Sequence, residues 1–274
     1  MLQFDPLFAA AGAAGWGHCA FSDLPLGPEA EARAEQLCPA PAGVFVAAFP
    51  YDAGDQPGNL SRYARGRDYH QAVTARLEQV CAVLRDAYPG RVFVPGADNS
   101  PLPERECARL AGLGLQGRNG LVILPPYGSW IFLGTILTDL PLSSAPAPGP
   151  GCMDCGACVA ACPGGALRSS PFDEGKCLSA LTQKKGALTE EETRLVAAHP
   201  LIWGCDLCQQ VCPYNQGALS SPLPEFRDDL LCSLHLEDVD GLTNRQFRAA
   251  FEGRAFTWRG PAPLRRNLTL KKEE

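Results

Sequence analysis

No run of about 18 uninterrupted apolar residues occurs in the sequence, so no segment reads as a membrane-spanning helix. The opening stretch MLQFDPLFAAAGAAGWG also lacks a basic segment followed by a long apolar one, so no export signal is read and the cytoplasm is the expected compartment. Positive charge is not in excess: 24 Lys and Arg face 30 Asp and Glu, a net charge of −6 that gives no general attraction to nucleic acid. Two local basic stretches remain, RYARGR (62–67) and RRNLTLKK (265–272), and each is more often a solvated surface than a phosphate contact. No GxGxxG follows a predicted strand and no P-loop is present, which leaves a nucleotide site unsupported. The four histidines, His18, His70, His199 and His235, show no HExxH or similar metal spacing and read as structural.

What is abundant is glycine, proline and cysteine: 28, 25 and 13 of 274 residues. The first two predict many turns. Thirteen cysteines without an export signal point away from disulfides, because cytosolic thiols are kept reduced, and towards metal ligation. Eight fall between positions 152 and 212; Cys19, Cys38, Cys81, Cys107 and Cys232 stand apart in apolar or helical settings and read as small buried hydrophobes.

Helical periodicity marks 28–38 and 69–88, and in the second Val73, Leu77, Val80 and Leu84 share one stripe. GVFVAAFPY (43–51) and RVFVPGA (91–97) read as strands, and 120–142 as two strands around a PPYGS turn. The expected fold class is α+β, with an α/β-like sheet domain over residues 1–142 and a ferredoxin-like double-cluster domain after it. The proline-rich stretch SSAPAPGPG (143–151) reads as a linker, 152–232 as the cysteine domain and 233–274 as a helical tail. Within the cysteine domain, 187–204 predicts a helix capped at Thr189, and in the tail 242–253 predicts another, capped by Thr243 or Asn244.

Cys152-x2-Cys155-x2-Cys158-x3-Cys162-Pro163 has the spacing of a bacterial ferredoxin, in which three thiolates hold one [4Fe–4S] cube and the fourth reaches the other. Cys205-x2-Cys208-x3-Cys212-Pro213 repeats its second half, but position 202, where a leading cysteine would stand, is Ile; Cys177 is the available replacement. Cross-ligation then assigns Cys152, Cys155, Cys158 and Cys212 to one cube and Cys205, Cys208, Cys162 and Cys177 to the other. Paired zinc sites also accept CxxC pairs, yet they do not need two matching xxxCP endings. Two [4Fe–4S] clusters are therefore expected, making the chain at least a conduit for single electrons.

The stretches RYARGRDYH (62–70), ADNSPLPERECARLAGLGLQGRNG (97–120), YGSWIFLGTILTDLPL (127–142), CLSALTQKKG (177–186) and WGCDLCQQVCPYNQ (203–216), with the first cysteine run, together resemble epoxyqueuosine reductase over roughly residues 43–270. The resemblance implies a cobalamin between the sheet domain and the clusters, reduced to Co(I), and a substrate epoxide in tRNA converted to an alkene with two electrons and two protons. It implies that Asp98, in DNSPLPER, is the proton donor, a role that requires desolvation by corrin and substrate to raise its pKa. Bare of that context, Asp-Asn-Ser-Pro is good turn chemistry. It places cobalamin contacts at Ala64, Asp98, Asn119, Val122, Leu133 and Ser179, and phosphate contacts at Lys184 and Lys185. It also implies a tRNA anticodon stem-loop and an external one-electron donor such as flavodoxin or ferredoxin as partners, acting on a monomer.

Differences from the family pattern fall on the substrate side. The segment before the first core strand is compressed, the match ends ahead of the family's C-terminal helical-repeat extension, and Arg118 stands where lysine is usual. Two further readings therefore stay open: a cobalamin-dependent reductase of a small molecule, and an electron-transfer protein without cobalamin.

Overall fold

A computed structural model describes residues 3–144, 151–168 and 172–271. Most of the linker expected at 143–151 falls outside the described residues. The chain divides into two compact units: residues 1–51, 69–154 and 218–223 form one, and 52–68, 155–217 and 224–274 the other.

The first unit is built on an antiparallel sheet ordered β1 (Gly15–Ala20), β2 (Gly43–Pro50), β6 (Ile131–Thr138), β3 (Phe93–Gly96). Every residue of β2 is buried, as its unbroken apolar run predicts for a strand covered on both faces. Val44, Val46 and Ala48 turn to a core shared with α2 (Pro28–Leu37) and α4 (Glu104–Leu110). On the other face, Phe45 meets Phe8 of α1 (Phe4–Ala10) at 5.9 Å between ring centroids. The same face carries α3 (Tyr69–Ala87), whose Val73, Leu77, Val80 and Leu84 are all fully buried. Gly134 of β6 lets α3 lie flat on the sheet: a Cβ there would sit 2.5 Å from Val73 and 2.7 Å from Leu77. A two-stranded ribbon, β4 (Leu115–Gln116) with β5 (Val122–Ile123), completes the unit. The strand expected ahead of the PPYGS turn thus pairs with β4 and not with β6.

The second unit is helical: α5 (Ala157–Ala161), α6 (Leu178–Gln183), α7 (Glu190–Ala198), α8 (Leu207–Gln210), α9 (Pro224–Arg227), α10 (Leu236–Val239), α11 (Asn244–Ala250) and α12 (Ala262–Leu270). Thr189 and Thr243 each form a capping box, with Glu192 and Gln246, where the sequence placed the caps of α7 and α11. The core joins Leu60, Ala64, Ile202, Trp203, Leu234, Val239, Phe247, Phe256 and Leu264.

The contiguous boundary expected near residue 142 is corrected here, because 52–68 packs with the cysteine half. Its backbone is claimed there: Ser61 N–H donates to Trp203 O at 3.0 Å, Ile202 N–H to Asn59 O at 2.7 Å, and Leu60 N–H to Cys232 O at 3.1 Å. No turn or composition shift flags such an excursion, because its partners lie about 140 positions or more away. Among the described residues, no helix is long and apolar enough to cross a membrane.

Candidate active site and metal centres

None of the thirteen cysteines is in a disulfide. In the helical unit, α5 and α8, the single turns that follow the two CxxC runs, pack against each other. Cys205 senses the charges of Cys177 and Cys162, so these three thiols share a neighbourhood, and burial pushes the Cys205 thiol up to about 12. Cys177 enters as the N-cap of α6, in the company expected of the ligand that replaces a leading cysteine. A metal core bound there would take the negative charge of the Cys205 thiolate and offset its burial. Among the described residues, no group of three His, Cys, Asp or Glu side chains is placed to hold a metal ion. A cube presents a separate iron to each thiolate, so its ligands need not converge on one point as those of zinc do.

The loop ahead of Cys205 is fixed tightly. Gly204 has φ +77°, and a Cβ there would meet the Ser61 Cβ at 2.4 Å. Asp206, 2% exposed, accepts from Ser61 Oγ at 2.5 Å and from Arg62 N–H at 2.9 Å. Gly204→Ala is therefore expected to lower Tm by several degrees and to cost roughly half of the bound iron. Thermal denaturation and iron analysis of the purified variant check this.

Cys152 is pinned within the sheet unit. Its amide donates to Gln116 O at 3.1 Å, while its Sγ accepts from Arg118 N–H at 3.3 Å. Arg118 also pairs with Asp154 at 2.8 Å. Such N–H donation to a ligand sulfur is one of the means by which proteins set a cluster's potential.

Asp98 follows β3 in the left-handed region, φ +60°, a conformation Asp tolerates better than most residues. Its amide donates to Oε1 of Glu104, the first residue of α4, at 2.6 Å. Its Oδ2 accepts from the Tyr69 hydroxyl at 2.7 Å and lies 3.0 Å from His70 Nε2. Both partners come from the first turn of α3, where the helix dipole favours a carboxylate. The Tyr69 ring is fixed by stacking on Phe132, 4.3 Å away at 9°, which stacks in turn on Tyr51.

The hydrogen bond with His70, helped by Tyr69 and opposed by burial, holds the Asp98 carboxyl below the usual carboxylate range. The sequence expectation of a raised Asp98 is tied to desolvation by corrin and substrate; the two polar partners brought in by α3 act in the opposite direction and were not foreseen. His70, read from sequence as structural, belongs to this site. A histidine next to a tyrosine at a helix start was the available signal, but its partner lies 28 positions away. Burial pushes Glu104 up to about 7, so the two carboxyls of this loop are driven apart in acidity.

A cavity of about 290 Å³ adjoins the loop, lined among others by His70, Thr74, Ala97, Asn99, Ser100 and Thr135. That is the bottom of the range for small-molecule sites, the size of a small ring and below that of a whole corrin.

Of the residues matched to cobalamin contacts, Ala64 and Val122 are buried in packed cores and Leu133 packs against the core that holds Val122. What they offer a ligand is chiefly backbone. Asn119 is buried, its Oδ1 accepting from Leu121 N–H at 3.2 Å, and Ser179 Oγ is 3.3 Å from Gln183 Nε2. One observation in this loop fits a ligand: the Gln116 Nε2 is buried without a partner, a donor that costs about 1–3 kcal/mol until an acceptor meets it. Beside it, Gly117 is kept bare by the loop's own packing: a Cβ there would strike Asn119 Oδ1 at 2.5 Å and Leu121 O at 2.8 Å. The carboxamide-fringed edge of a corrin supplies acceptors of the required kind, so these residues fit the group.

The expected phosphate contacts divide. Lys184 is paired with Glu192 at 2.7 Å, whereas Lys185 is exposed. The basic stretches are largely committed inward. Arg62 binds Asp52 and Asp55, and Arg65 donates to Leu60 O and Gln56 O. Arg265 donates to Val239 O, Arg266 to Lys184 O and Gly186 O, and Lys271 to Val196 O. Lys272 lies outside the described residues.

Two cysteine runs, the first beginning at Cys152 of the sheet unit and the rest lying in the helical unit, define a double-[4Fe–4S] protein, and the sheet unit adds an acid loop. Residues 151–215 match the 4Fe-4S double cluster binding domain, and 32–95 match the family described as Epoxyqueuosine reductase QueG, DUF1730. An epoxyqueuosine reductase of Gloeobacter violaceus is 35% identical over 245 residues, covering 85% of this chain and 76% of the relative. The chain belongs to the epoxyqueuosine reductase family. The counterpart from Lactococcus garvieae is 34% identical over 230 residues, and there the match spans 81% of this chain and 65% of the relative, just under two thirds of its length. The structure also superposes on a crystal structure of epoxyqueuosine reductase with an epoxyqueuosine-modified tRNA stem loop, with TM-score 0.82, 26% identity, and 97% of this chain and 79% of that one covered.

Proposed function

We propose that the chain reduces epoxyqueuosine to queuosine in tRNA, in the cytoplasm and as a monomer. The observation that carries this reading is the Asp98 loop, a carboxylate fixed by Tyr69 and His70 on a sheet unit whose chain continues into eight cluster-forming thiols. Its family membership and the modified stem loop held by its structural relative support the substrate.

The reaction takes epoxide, two electrons and two protons to alkene and water. Cys152, Cys155, Cys158 and Cys212 would hold one cluster, and Cys205, Cys208, Cys162 and Cys177 the other; such clusters would supply electrons one at a time from a flavodoxin- or ferredoxin-type donor. Cobalamin, when bound, supplies a low-valent cobalt that reduces the carbon centre. In the sheet unit, Asn119, Gln116 and backbone at Val122 and Leu133 would hold it; in the helical unit the family resemblance offers backbone at Ala64 and Ser179. Asp98 passes protons to the oxygen that leaves carbon, where general acid catalysis contributes about 10²–10⁴-fold. Of the two lysines matched to phosphate contacts, Lys185 is the exposed one.

The inward commitment of Arg62, Arg65, Arg265 and Arg266 favours a second reading, a small-molecule substrate. Anaerobic reconstitution with iron, sulfide and cobalamin, followed by assay on an epoxyqueuosine stem loop, is expected to yield queuosine. Bound cobalamin with no product from RNA would favour the small-molecule reading, and eight irons with no corrin absorbance would leave an electron carrier.

A further inference from the structure

Reduction of an epoxide to an alkene consumes two protons, yet the carboxyl that faces the reaction in the reading above is held ionised. Its Oδ2 is an acceptor only, so the 3.0 Å contact with His70 requires the hydrogen to sit on Nε2 of the imidazole. We propose that His70 stores the proton that Asp98 delivers, the two side chains working as one loaded pair.

The geometry suits a relay. His70 stands on the first turn of α3, which Gly134 lets settle against β6, so its ring is carried by the most deeply packed helix of the unit. Its ring stacks on Tyr69 at 4.0 Å, which fixes its plane. The side chain is 21% exposed, enough to be reloaded from solvent. Among the charged groups that act on it are Asp98 from the loop after β3 and Glu104 from α4, both acidic, with Arg105 beyond them acting on Glu104. Opposite charges at this range favour each other's charged forms. Glu104 is the other candidate store, but its Oε1 is occupied by the Asp98 amide and no contact joins it to Oδ2 among the hydrogen bonds of the loop.

The balance is as follows, and it rests on the epoxide-reductase reading. As the first C–O bond opens, a proton moves from Nε2 to Asp98 Oδ2 and on to the oxygen, giving a hydroxyl and a neutral imidazole. His70 recovers a proton from solvent. A second passage of the same route turns the hydroxyl into departing water as the second C–O bond breaks and the alkene forms. The two electrons would come, one at a time, from the external one-electron donor.

His70→Gln tests this, because glutamine can still donate to Oδ2 but holds no transferable proton. With the reconstituted holoenzyme and stem loop, kcat is expected to fall about 10²-fold with KM little changed, and the decline of activity at alkaline pH to disappear. Independently, NMR titration of the four histidines in the cluster-loaded protein is expected to show the His70 midpoint fall by about one pH unit or more in Asp98→Asn. Turnover of His70→Gln within about threefold of the parent, with the same pH profile, overturns the proposal, and so does a His70 midpoint unmoved by Asp98→Asn. If the parent fails on RNA while that midpoint moves, the substrate reading falls and the proton pair stands.

Discussion

Asp98→Asn is expected to lower turnover of an epoxyqueuosine stem loop by about 10²–10⁴-fold while iron and cobalamin contents stay at parental levels. The substitution is nearly isosteric, and asparagine accepts the left-handed backbone at φ +60° as readily as aspartate, so the loop should keep its course. Its carboxamide oxygen can still accept from Tyr69. What is lost is the ability to take a proton from His70 and hand it on, and with it the charge that steadies the imidazolium. Single-turnover formation of the alkene, read by mass spectrometry of the RNA, separates this from weaker binding. Turnover within about threefold of the parent would remove Asp98 from the chemistry altogether.

Cys177→Ser should abolish turnover driven by a reduced electron donor and remove roughly half of the iron, because a cluster that loses one of four thiolates is poorly held. Serine keeps the N-cap geometry of α6, so the helix itself should survive. The change singles out the cluster that shares Cys162 and Cys205, and the other set of thiolates is untouched. Iron and sulfide analysis, with EPR of the reduced protein, should show one cluster in place of two. Two intact clusters in this variant would refute the assignment of Cys177.

The cysteine runs were legible because cluster ligation is a local spacing problem: three thiolates on one loop and a proline that turns the fourth away. Cys177 stands outside both runs, so its spacing alone marks it only as the remaining candidate. Helices α3, α7 and α11 were legible from periodicity and from Thr189 and Thr243, which cap by bonding residues three positions on. The electrostatics of Asp98 was not legible, since its acidity is set by Tyr69 and His70 from another element. Nor was the fate of the basic stretches. Arg266 looks like any surface arginine until the carbonyls of residues 181–186 close around it.

The excursion of residues 52–68 bears on how this molecule can be taken apart. A fragment starting at the proline-rich stretch would carry every cluster thiol, yet its core would have a hole where Leu60 and Ala64 sit, and Trp203 would lose the backbone neighbour that holds it. The electron-carrying half is therefore not a detachable module: gene dissection at the obvious seam would separate an incomplete scaffold from an incomplete cap, and the two activities must be dissected by point changes within the intact chain.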